Sequence, residues 1–225
     1  MNLKNKIVVI TGGTKGLGKA MAMVFLENEA KVIVCSRDDK RPDDLEGNIF
    51  WVKADVTKEE ELKNLAYFVV EKFGKIDIWI NNAGIWLPHM PIEEIDWGKR
   101  AHDLIEVNLF GTVYGSKIAL AQMRKQNSGL IINILSTSAL NGLKNETAYC
   151  ASKFAASGFT KALMKEVDRN NIKVNAIYPG GMQTNLFDER KPEIYNTFMD
   201  PNEVAEKIVE NLKKDKPEEE LIIKR

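Results

Sequence analysis

Two side chains that could take part in proton transfer stand one helical turn apart in the stretch TAYCASKFAAS, residues 147–157. Tyr149 and Lys153 are separated by four positions, so on a helix they lie on the same face. The residues around them are mostly alanine, serine and cysteine, which are small enough to let another molecule approach. The pattern fits either a solvated helix face or an active site, and the rest of the chain has to distinguish the two.

The elements that must position this pair alternate along the chain. Short apolar runs rich in β-branched residues alternate with longer stretches of helical periodicity, which is typical of parallel strands buried on both faces of a doubly wound sheet. The sequence therefore predicts an α/β protein with a seven-stranded parallel sheet, a Rossmann fold with helices on both faces, in one domain over residues 1–225. The strands are expected at 6–10, 31–35, 49–54, 76–80, 130–135, 172–178 and 220–224, and the helices at 17–28, 58–73, 103–127, 149–170 and 201–214.

Composition argues against several classes of function. The 32 basic and 32 acidic residues balance, so the chain offers no basic field to attract nucleic acid or anionic lipid. The first apolar run has only about five residues, too few for a signal sequence or a membrane span. We therefore expect a cytoplasmic protein that binds neither nucleic acid nor membrane. Cys35 and Cys150 have apolar or small neighbours and are interpreted as packed thiols.

A glycine-rich loop directly follows the first predicted strand. Gly12, Gly16 and Gly18 in TGGTKGLG are spaced as GxxxGxG, and a predicted helix follows them. Glycines at a strand–loop–helix junction let the backbone approach a pyrophosphate, and the helix N-terminus offers its free N–H groups to the anion. These could be ordinary turn glycines, but their position after the first strand of an alternating chain favours a dinucleotide site.

The residues after the second predicted strand bear on which dinucleotide binds. NAD sites usually carry an acid there, whereas NADP sites tend to carry an arginine. Ser36 and Arg37 follow the strand and Lys15 lies in the glycine loop, so two cations could pair with a 2′-phosphate. The sequence thus predicts NADP(H) in preference to NAD(H). Both cations could instead be solvated surface charges, and Asp38 or Asp39 could repel the phosphate or bind ribose.

Two further strand ends carry polar residues at the sheet edge where ligands bind in such folds. Asp55 could accept a hydrogen bond from adenine or cap the helix that begins near Lys58, and both alternatives stay open. The amides of NNAG, residues 81–84, could line a ligand cleft or tie neighbouring strands together.

Taken together, the motifs resemble the short-chain dehydrogenase/reductase family in its single-domain form. They are TGGTKGLG, NNAG, Asn108 in VNLFGT, Ser136 in INILSTSA, Tyr149-x-x-x-Lys153 and YPGGMQT at 178–184, and they follow the family's order over essentially the whole chain. The resemblance implies an NADP-dependent oxidoreductase that interconverts a carbonyl and a secondary alcohol of a small molecule by hydride transfer.

The resemblance also implies a catalytic tetrad of Asn108, Ser136, Tyr149 and Lys153. Tyr149 would exchange a proton with the substrate oxygen, while Lys153 would favour the phenolate and hold the nicotinamide ribose. Ser136, which precedes Tyr149 by thirteen residues and is preferred over Ser138, would donate to the substrate oxygen. Asn108 would fix a water that leads from Lys153 to solvent.

The same resemblance implies cofactor contacts in the glycine loop, at the strand ends and in YPGGMQT. Gly181 and Met182 stand where the family commonly has isoleucine or valine contacts, so recognition of the carboxamide is expected to differ. The implied cofactor-binding residues are Gly12, Thr14, Lys15, Gly16, Leu17, Gly18, Ser36, Arg37, Asp55, Val56, Asn82, Ala83, Gly84, Tyr149, Lys153, Pro179, Gly180, Met182 and Thr184.

The substrate is expected to contact variable segments at the same sheet edge. Their side chains predict an apolar lining without a fixed cation for carboxylate or phosphate, which favours a carbonyl or alcohol of modest polarity. His89 is explained equally well as a loop residue and as a substrate contact. The expected lining residues are Trp86, Leu87, Leu140, Leu143, Met182, Leu186 and Phe187.

Two other functions and an assembly remain open. A 3-oxoacyl-[acyl-carrier-protein] reductase needs basic residues to dock its acidic carrier, and Lys144, Arg190 and Lys191 are candidates. A non-enzymatic NADP(H)-binding sensor or interaction protein is expected to lack a tetrad member or an intact glycine loop, and this sequence keeps both. The family commonly packs its two long helices against those of another subunit, which predicts a homodimer or homotetramer.

Overall fold

The computed structural model describes residues 1–45, 47–167 and 171–225. Within these ranges seven strands form one parallel sheet in the order β3-β2-β1-β4-β5-β6-β7, so the predicted doubly wound α/β fold is confirmed. The chain reverses its direction of winding between β1 and β4, which is the place where such sheets form ligand clefts. The strands are β1 (Ile7–Thr11), β2 (Lys31–Ser36), β3 (Phe50–Lys53), β4 (Ile78–Asn81), β5 (Gly129–Ile134), β6 (Ile172–Pro179) and β7 (Glu220–Ile223).

Helices cover both faces of this sheet because its central strands are apolar on both sides. In β1, Val8 and Ile10 pack into the hydrophobic cluster that includes α1 and α6, while Ile7 and Val9 pack into the cluster that includes α2, α4 and α5. None of the helices in the described ranges combines the length and apolarity needed to cross a bilayer. The α-helices are α1 (Gly16–Glu27), α2 (Glu59–Phe73), α3 (Arg100–Ile105), α4 (Gly111–Gln126), α5 (Thr147–Glu166) and α6 (Pro201–Lys213).

The long helix predicted at 103–127 has a different course in the structure. It begins at Arg100 as α3, passes through a π-helical turn at Glu106–Phe110 and continues as α4. The helix predicted at 149–170 begins earlier, at Thr147, and α5 ends at Glu166. Residues 168–170 of that prediction lie outside the described residues. Short 3₁₀ turns occupy Ile92–Glu94, Thr137–Ala139, Asn185–Phe187 and Tyr195–Thr197.

A buried amide network ties the centre of the sheet to α4 and to α5, the helix that carries Tyr149. The Asn81 amide donates to Asn133 Oδ1 at 2.8 Å and to Ser116 Oγ at 3.0 Å, and its oxygen accepts from Trp79 Nε1 at 2.8 Å. Asn133 in turn donates to Thr160 Oγ1 on α5 at 3.0 Å. Asn81 therefore ties strands together, while the next three residues of NNAG line the cleft described below.

Candidate active site

A cleft of about 850 Å³ opens at the carboxyl ends of the strands. All nineteen residues predicted to contact the cofactor line it, from the glycine loop through the ends of β2, β3 and β4 to YPGGMQT. Ser136, Tyr149 and Lys153 of the predicted tetrad line the same cleft, whereas Asn108 lies behind its wall. The fold therefore brings the sequence-predicted residues to one place.

The glycine loop is shaped for close backbone approach. Gly12 and Gly16 have φ angles of 62° and 51°, in the left-handed region that favours glycine. A Cβ on Gly18 would lie 2.2 Å from the Gly12 carbonyl oxygen, so no larger residue fits there. Helix α1 begins at Gly16, and its N-cap residue Lys15 makes no side-chain cap hydrogen bond, which leaves first-turn N–H groups available to an anion. These features fit a dinucleotide pyrophosphate.

A carboxylate lies at the adenosine end of the cleft, beside the two cations. Asp38 Oδ2 accepts a hydrogen bond from Ser36 Oγ at 2.8 Å and lies 3.5 Å from Thr14 Oγ1. Lys15 and Arg37 are exposed and line the cleft close to this group. The cleft wall at this point thus carries two cations and one anion.

Two neighbouring contacts organise the end of β2. The indole of Trp51 donates to Ser36 Oγ at 2.9 Å, which fixes the hydroxyl that in turn holds Asp38. Asp39 forms a 2.6 Å ion pair with Lys53. This pairing lowers the pKa of the Asp39 carboxyl, through its hydrogen bond and charge interaction with Lys53. Of the two acids considered from the sequence, Asp38 is the one that lines the cleft.

Asp55 does not cap α2, so that alternative is wrong. Its Oδ1 accepts hydrogen bonds from the backbone N–H and the hydroxyl of Thr57, both at 2.9 Å, in a local turn. The N-cap of α2 is Lys58, which makes no side-chain cap hydrogen bond. Asp55 lines the cleft, where the second alternative, a contact with adenine, remains a prediction.

Tyr149 and Lys153 are both buried in the cleft wall, with exposed fractions of 8% and 6%. Burial raises the pKa of Tyr149 above its ordinary value, a hydrogen bond with Ser136 opposes this, and the charge of Glu146 adds to the rise. Burial also lowers the pKa of Lys153 to about 8. Tyr149 is therefore protonated and Lys153 mostly charged at neutral pH.

Lys153 lies beside the ring of Tyr149, and its expected effect in favour of the phenolate remains a prediction. The Lys153 ammonium lies 5.9 Å from the centre of the Tyr149 ring and donates to the Ile134 carbonyl oxygen at 3.3 Å. Desolvation outweighs other influences on Tyr149 because its hydroxyl is taken out of water. The protein alone thus presents Tyr149 as a proton donor.

Ser136 is held in place by a backbone hydrogen bond and forms a hydrogen bond with Tyr149. It ends the loop after β5, and its Oγ accepts a hydrogen bond from the backbone N–H of Ser138 at 3.0 Å. The N–H of Ser138 bonds to a lone pair of Ser136 Oγ and does not use the hydroxyl proton. That proton can therefore be donated to Tyr149 or to a substrate oxygen. This geometry agrees with the preference for Ser136 over Ser138.

Asn108 joins three parts of the site from behind the cleft. Its Oδ1 accepts from the Ile85 N–H at 2.9 Å, and its Nδ2 donates to the Ile85 carbonyl and to Ser152 Oγ, both at 3.0 Å. Ser152 in turn donates to the Tyr149 carbonyl at 2.8 Å. The π-helical turn carries this side chain, and such turns are frequent at functional sites.

Comparison with known proteins identifies the family to which this geometry belongs. A family model described as short chain dehydrogenase matches residues 6–194. The chain is a short-chain dehydrogenase/reductase. As a member of this family it is an oxidoreductase that binds an NAD(P) nucleotide.

Relatives of this short-chain dehydrogenase carry different names. The chain is 38% identical over 189 residues to L-fucose dehydrogenase of Mus musculus, covering 82% of this chain and 68% of that protein. It is 32% identical over 227 residues to 3-oxoacyl-[acyl-carrier-protein] reductase of Thermotoga maritima, covering 93% and 91%. The solved structure of ElxO with NADP bound shares 31% identity and a TM-score of 0.85, with 97% of both chains covered.

The end of the cleft that was expected to contact substrate is more polar than the sequence predicted. Glu146 and His89 line the cleft as a hydrogen-bonded pair, with Lys144 and Glu189 nearby in the lining. Leu87 and Leu140 pack into hydrophobic clusters instead of lining the cleft. The other predicted lining residues do line it, namely Trp86, Leu143, Met182, Leu186 and Phe187.

Aromatic packing shapes this end of the dehydrogenase's cleft. Phe187 makes edge-on contacts with Trp86 and Tyr195, at centroid distances of 4.9 and 5.9 Å, and a tilted one with Phe198 at 5.3 Å. A Cβ on Gly181 would lie 2.6 Å from the Phe198 ring, so the glycine lets the segment after β6 pass close beneath this cluster. The spacing of apolar residues along the chain does not predict this cluster, because Trp86 and Phe187 belong to different loops.

Proposed function

We propose that this protein interconverts a carbonyl group and a secondary alcohol of a small molecule by hydride transfer, with NADP(H) preferred over NAD(H). One observation carries the proposal: Ser136, Tyr149 and Lys153 line the same cleft as a glycine loop open to a pyrophosphate. The alternative that the Tyr149 face is a solvated helix surface disagrees with the burial of both side chains.

The proposed roles follow from the protonation states of these residues. When bound, the cofactor supplies or accepts the hydride, and its oxidised ring adds a positive charge that favours the phenolate of Tyr149. In reduction, the protonated Tyr149 hydroxyl donates to the substrate oxygen, and Ser136 donates a second hydrogen bond to that oxygen. Lys153 binds the ribose hydroxyls of the nicotinamide half. Asn108 fixes the loop after β4 against α5, and its contribution to a water relay remains part of the proposal.

The preference for NADP(H) rests on Lys15 and Arg37. Their side chains are exposed and line the cleft after β1 and β2, and a 2′-phosphate bound between them would pair with both cations. A hydrogen bond to a charged group contributes roughly 1.5–3 kcal/mol, and exposure reduces the contribution of each. Asp38 opposes the phosphate, and its bond from Ser36 places it on the same wall.

Calorimetric titration with NADPH and NADH tests the cofactor proposal. We expect NADPH to bind more tightly, Lys15→Ala and Arg37→Ala each to weaken NADPH binding by about tenfold, and NADH affinity to change less than about twofold. Asp38→Asn should strengthen NADPH binding, whereas exposed Lys207→Ala on α6 serves as a charge-matched control. Tighter binding of NADH by the native protein would show that Asp38 outweighs the two cations.

A reductase acting on carrier-bound ketones is a second candidate, supported by the 32% identity to the Thermotoga maritima enzyme. Lys144 is exposed and lines the cleft, and Lys191 lies 4.8 Å from the centre of the Tyr195 ring near its rim. Turnover of a carrier-bound 3-oxoacyl group faster than of the free ketone would favour this candidate. A sensor or interaction protein would instead bind the dinucleotide and reduce neither compound.

We also propose that the molecule assembles as a homodimer or homotetramer through α4 and α5. Phe154 on α5 is 45% exposed, and Phe110, the last residue of the π-helical turn before α4, is 37% exposed and stacks on Tyr114 of α4. Large exposed aromatic side chains on adjoining helices are typical of a surface that another subunit covers.

A further inference from the structure

A carboxylate–imidazole pair stands at the substrate end of the cleft, outside the proposed tetrad. Glu146 Oε1 lies 2.5 Å from His89 Nε2, and both residues line the cleft that holds Tyr149. The Glu146 side chain is only 10% exposed, compared with 43% for His89. The carboxylate is thus the member of the pair withdrawn from solvent.

Glu146 lies close to the proposed reacting groups. Its Oε2 is 3.4 Å from Ser138 Oγ, and the backbone N–H of Ser138 donates to Ser136 Oγ at 3.0 Å. Glu146 also lies one helical turn before Tyr149 in the chain, and its negative charge raises the pKa of the tyrosine. A molecule whose oxygen contacts Ser136 and Tyr149 therefore has Glu146 beside it.

The surrounding loops hold the pair in place. The backbone N–H of Met90 donates to the Asn145 carbonyl at 3.1 Å, which joins the loop carrying His89 to the residue before Glu146. Asn145 has a φ of 63°, a left-handed conformation that asparagine tolerates. The imidazole of His89 packs edge-on against Trp86 at 5.4 Å. The pair is therefore preorganised, as a binding group on a fixed scaffold needs to be.

The carboxylate has unused capacity for hydrogen bonds. An ionised carboxylate is an acceptor only and offers about four lone-pair positions. Among the described residues, one position is used by His89 and another by the long contact with Ser138. The apolar side chains of Leu143, Leu186 and Phe187 also line the cleft, as does the exposed ammonium of Lys144, which is not among the partners of the carboxylate in the part of the chain that the structure describes. A substrate that fills this space gains most if it brings a donor to Glu146.

We infer that Glu146, positioned by His89, binds a second hydroxyl group of the substrate next to the carbon that reacts, so that the substrate class is a neutral polyhydroxylated molecule. This inference rests on the proposed function and replaces the expected substrate of modest polarity. A carboxylate at this place disfavours substrates with a carboxylate or phosphate beside the reacting carbon, because the two negative charges repel.

Oxidation of matched cyclic alcohols tests the inference. NADPH formation is followed with cyclohexanol and with the cis and trans vicinal diols of cyclohexane, and each alcohol is also titrated calorimetrically into the protein loaded with NADP⁺. We expect the kcat/KM of at least one diol to exceed that of cyclohexanol by about tenfold or more. One hydrogen bond to a charged acceptor is enough to produce a difference of this size.

Two substitutions separate binding of the hydroxyl from general damage. Glu146→Gln should lower the ratio of diol to cyclohexanol kcat/KM by about tenfold, mainly through KM for the preferred diol, with each ratio measured at the pH optimum of the variant. Loss of the negative charge of Glu146 should also lower the pKa of Tyr149. The part of the pH profile that reports ionisation of Tyr149 should therefore move to lower pH. His89→Ala should raise KM for the diol, and His89→Gln should restore part of it. Glu94→Gln, on an exposed turn in the loop that leads on from His89, is the control.

The outcomes distinguish this inference from the function on which it rests. An unchanged ratio of diol to cyclohexanol activity in Glu146→Gln would overturn the inference while the oxidoreductase proposal stands. The same conclusion follows if the loaded native protein neither binds nor oxidises the diols but oxidises or binds cyclohexanol. Failure of the native protein to bind NADP⁺ or NADPH would overturn both.

Discussion

At the scale of single residues, the chemistry of this protein depends on what burial does to two ionisable groups. Burial keeps Tyr149 protonated and brings the pKa of Lys153 down to about 8. The result is a tyrosine ready to donate a proton, beside an ammonium whose charge is held at some cost in stability.

Replacing Tyr149 by phenylalanine removes the proposed acid with little change in shape. We expect kcat for the proposed reduction to fall by about 10²–10⁴-fold, the range of general acid catalysis, while NADPH affinity stays within about twofold. Steady-state kinetics with calorimetry measures both. Tyr67→Phe, on α2, is the matched control because the Tyr67 side chain is 72% exposed. Normal turnover in Tyr149→Phe would show that another group delivers the proton.

Replacing Lys153 by methionine should stabilise the cofactor-free protein near neutral pH. The folded-state pKa of Lys153 lies below the ordinary value of 10.5, so between about pH 8 and 10.5 the unfolded chain binds more protons. The native protein therefore gains stability from Lys153 as pH rises through that window, and below it the buried charge costs stability. The Tm of Lys153→Met should exceed the native Tm at about pH 7, and the difference should shrink by about pH 9.5. A Tm difference that stays constant or grows with pH would contradict this explanation.

At the scale of elements, the glycine loop shows how close packing creates a binding surface. Helix α1 can start beneath the cleft because the Gly18 backbone approaches both the Gly12 carbonyl and the Asn82 side chain. Asn82 in turn donates to the carbonyl oxygens of Thr11 and Gly12 at 2.9 and 3.1 Å. The loop after β1 is thus held by the loop after β4.

Gly18→Ala should disrupt this arrangement. The new Cβ would lie 2.2 Å from the Gly12 oxygen and 2.5 Å from Asn82 Nδ2, so the loop has to move. We expect NADPH affinity to fall by at least about a hundredfold and the free energy of unfolding to fall by about 1–3 kcal/mol. Calorimetry and urea unfolding measure the two effects. In Gly98→Ala, where the nearest atom is 3.7 Å away, both should remain close to native. Native-like NADPH binding in Gly18→Ala would mean that the loop adapts.

The sequence predicted the elements well and their irregularities poorly. Buried parallel strands are apolar throughout, so runs such as KIVVI indicate them directly, and family motifs bring Ser136, Tyr149 and Lys153 to the cleft. The π-helical turn at Glu106–Phe110 was missed because one wider turn barely alters a helical pattern. The role of Glu146 was missed because its partner, His89, is 57 residues away and only the folded loops bring them together.

At the scale of the whole molecule, the proposed assembly depends on the exposed aromatic side chains at α4 and α5. Phe154→Glu places a charge on the surface that another subunit would cover. We expect the native protein to be dimeric or tetrameric at micromolar concentration and the variant to be smaller, measured by light scattering. Tyr67→Glu, at an exposed aromatic position on α2, should leave the mass unchanged. A monomeric native protein would overturn the proposal.

Two of the four tryptophans lie at or next to the cleft, so the intrinsic fluorescence of the protein can report on a bound coenzyme. Trp51 is hydrogen-bonded to Ser36 at the adenosine end of the cleft, and Trp86 lines the substrate end. Reduced nicotinamide absorbs where indole emits, so excitation energy can pass from the protein to a bound coenzyme over such short separations. Replacing either tryptophan by phenylalanine would show which indole transfers its excitation energy to the nicotinamide. The result would show in which direction the coenzyme lies along the cleft.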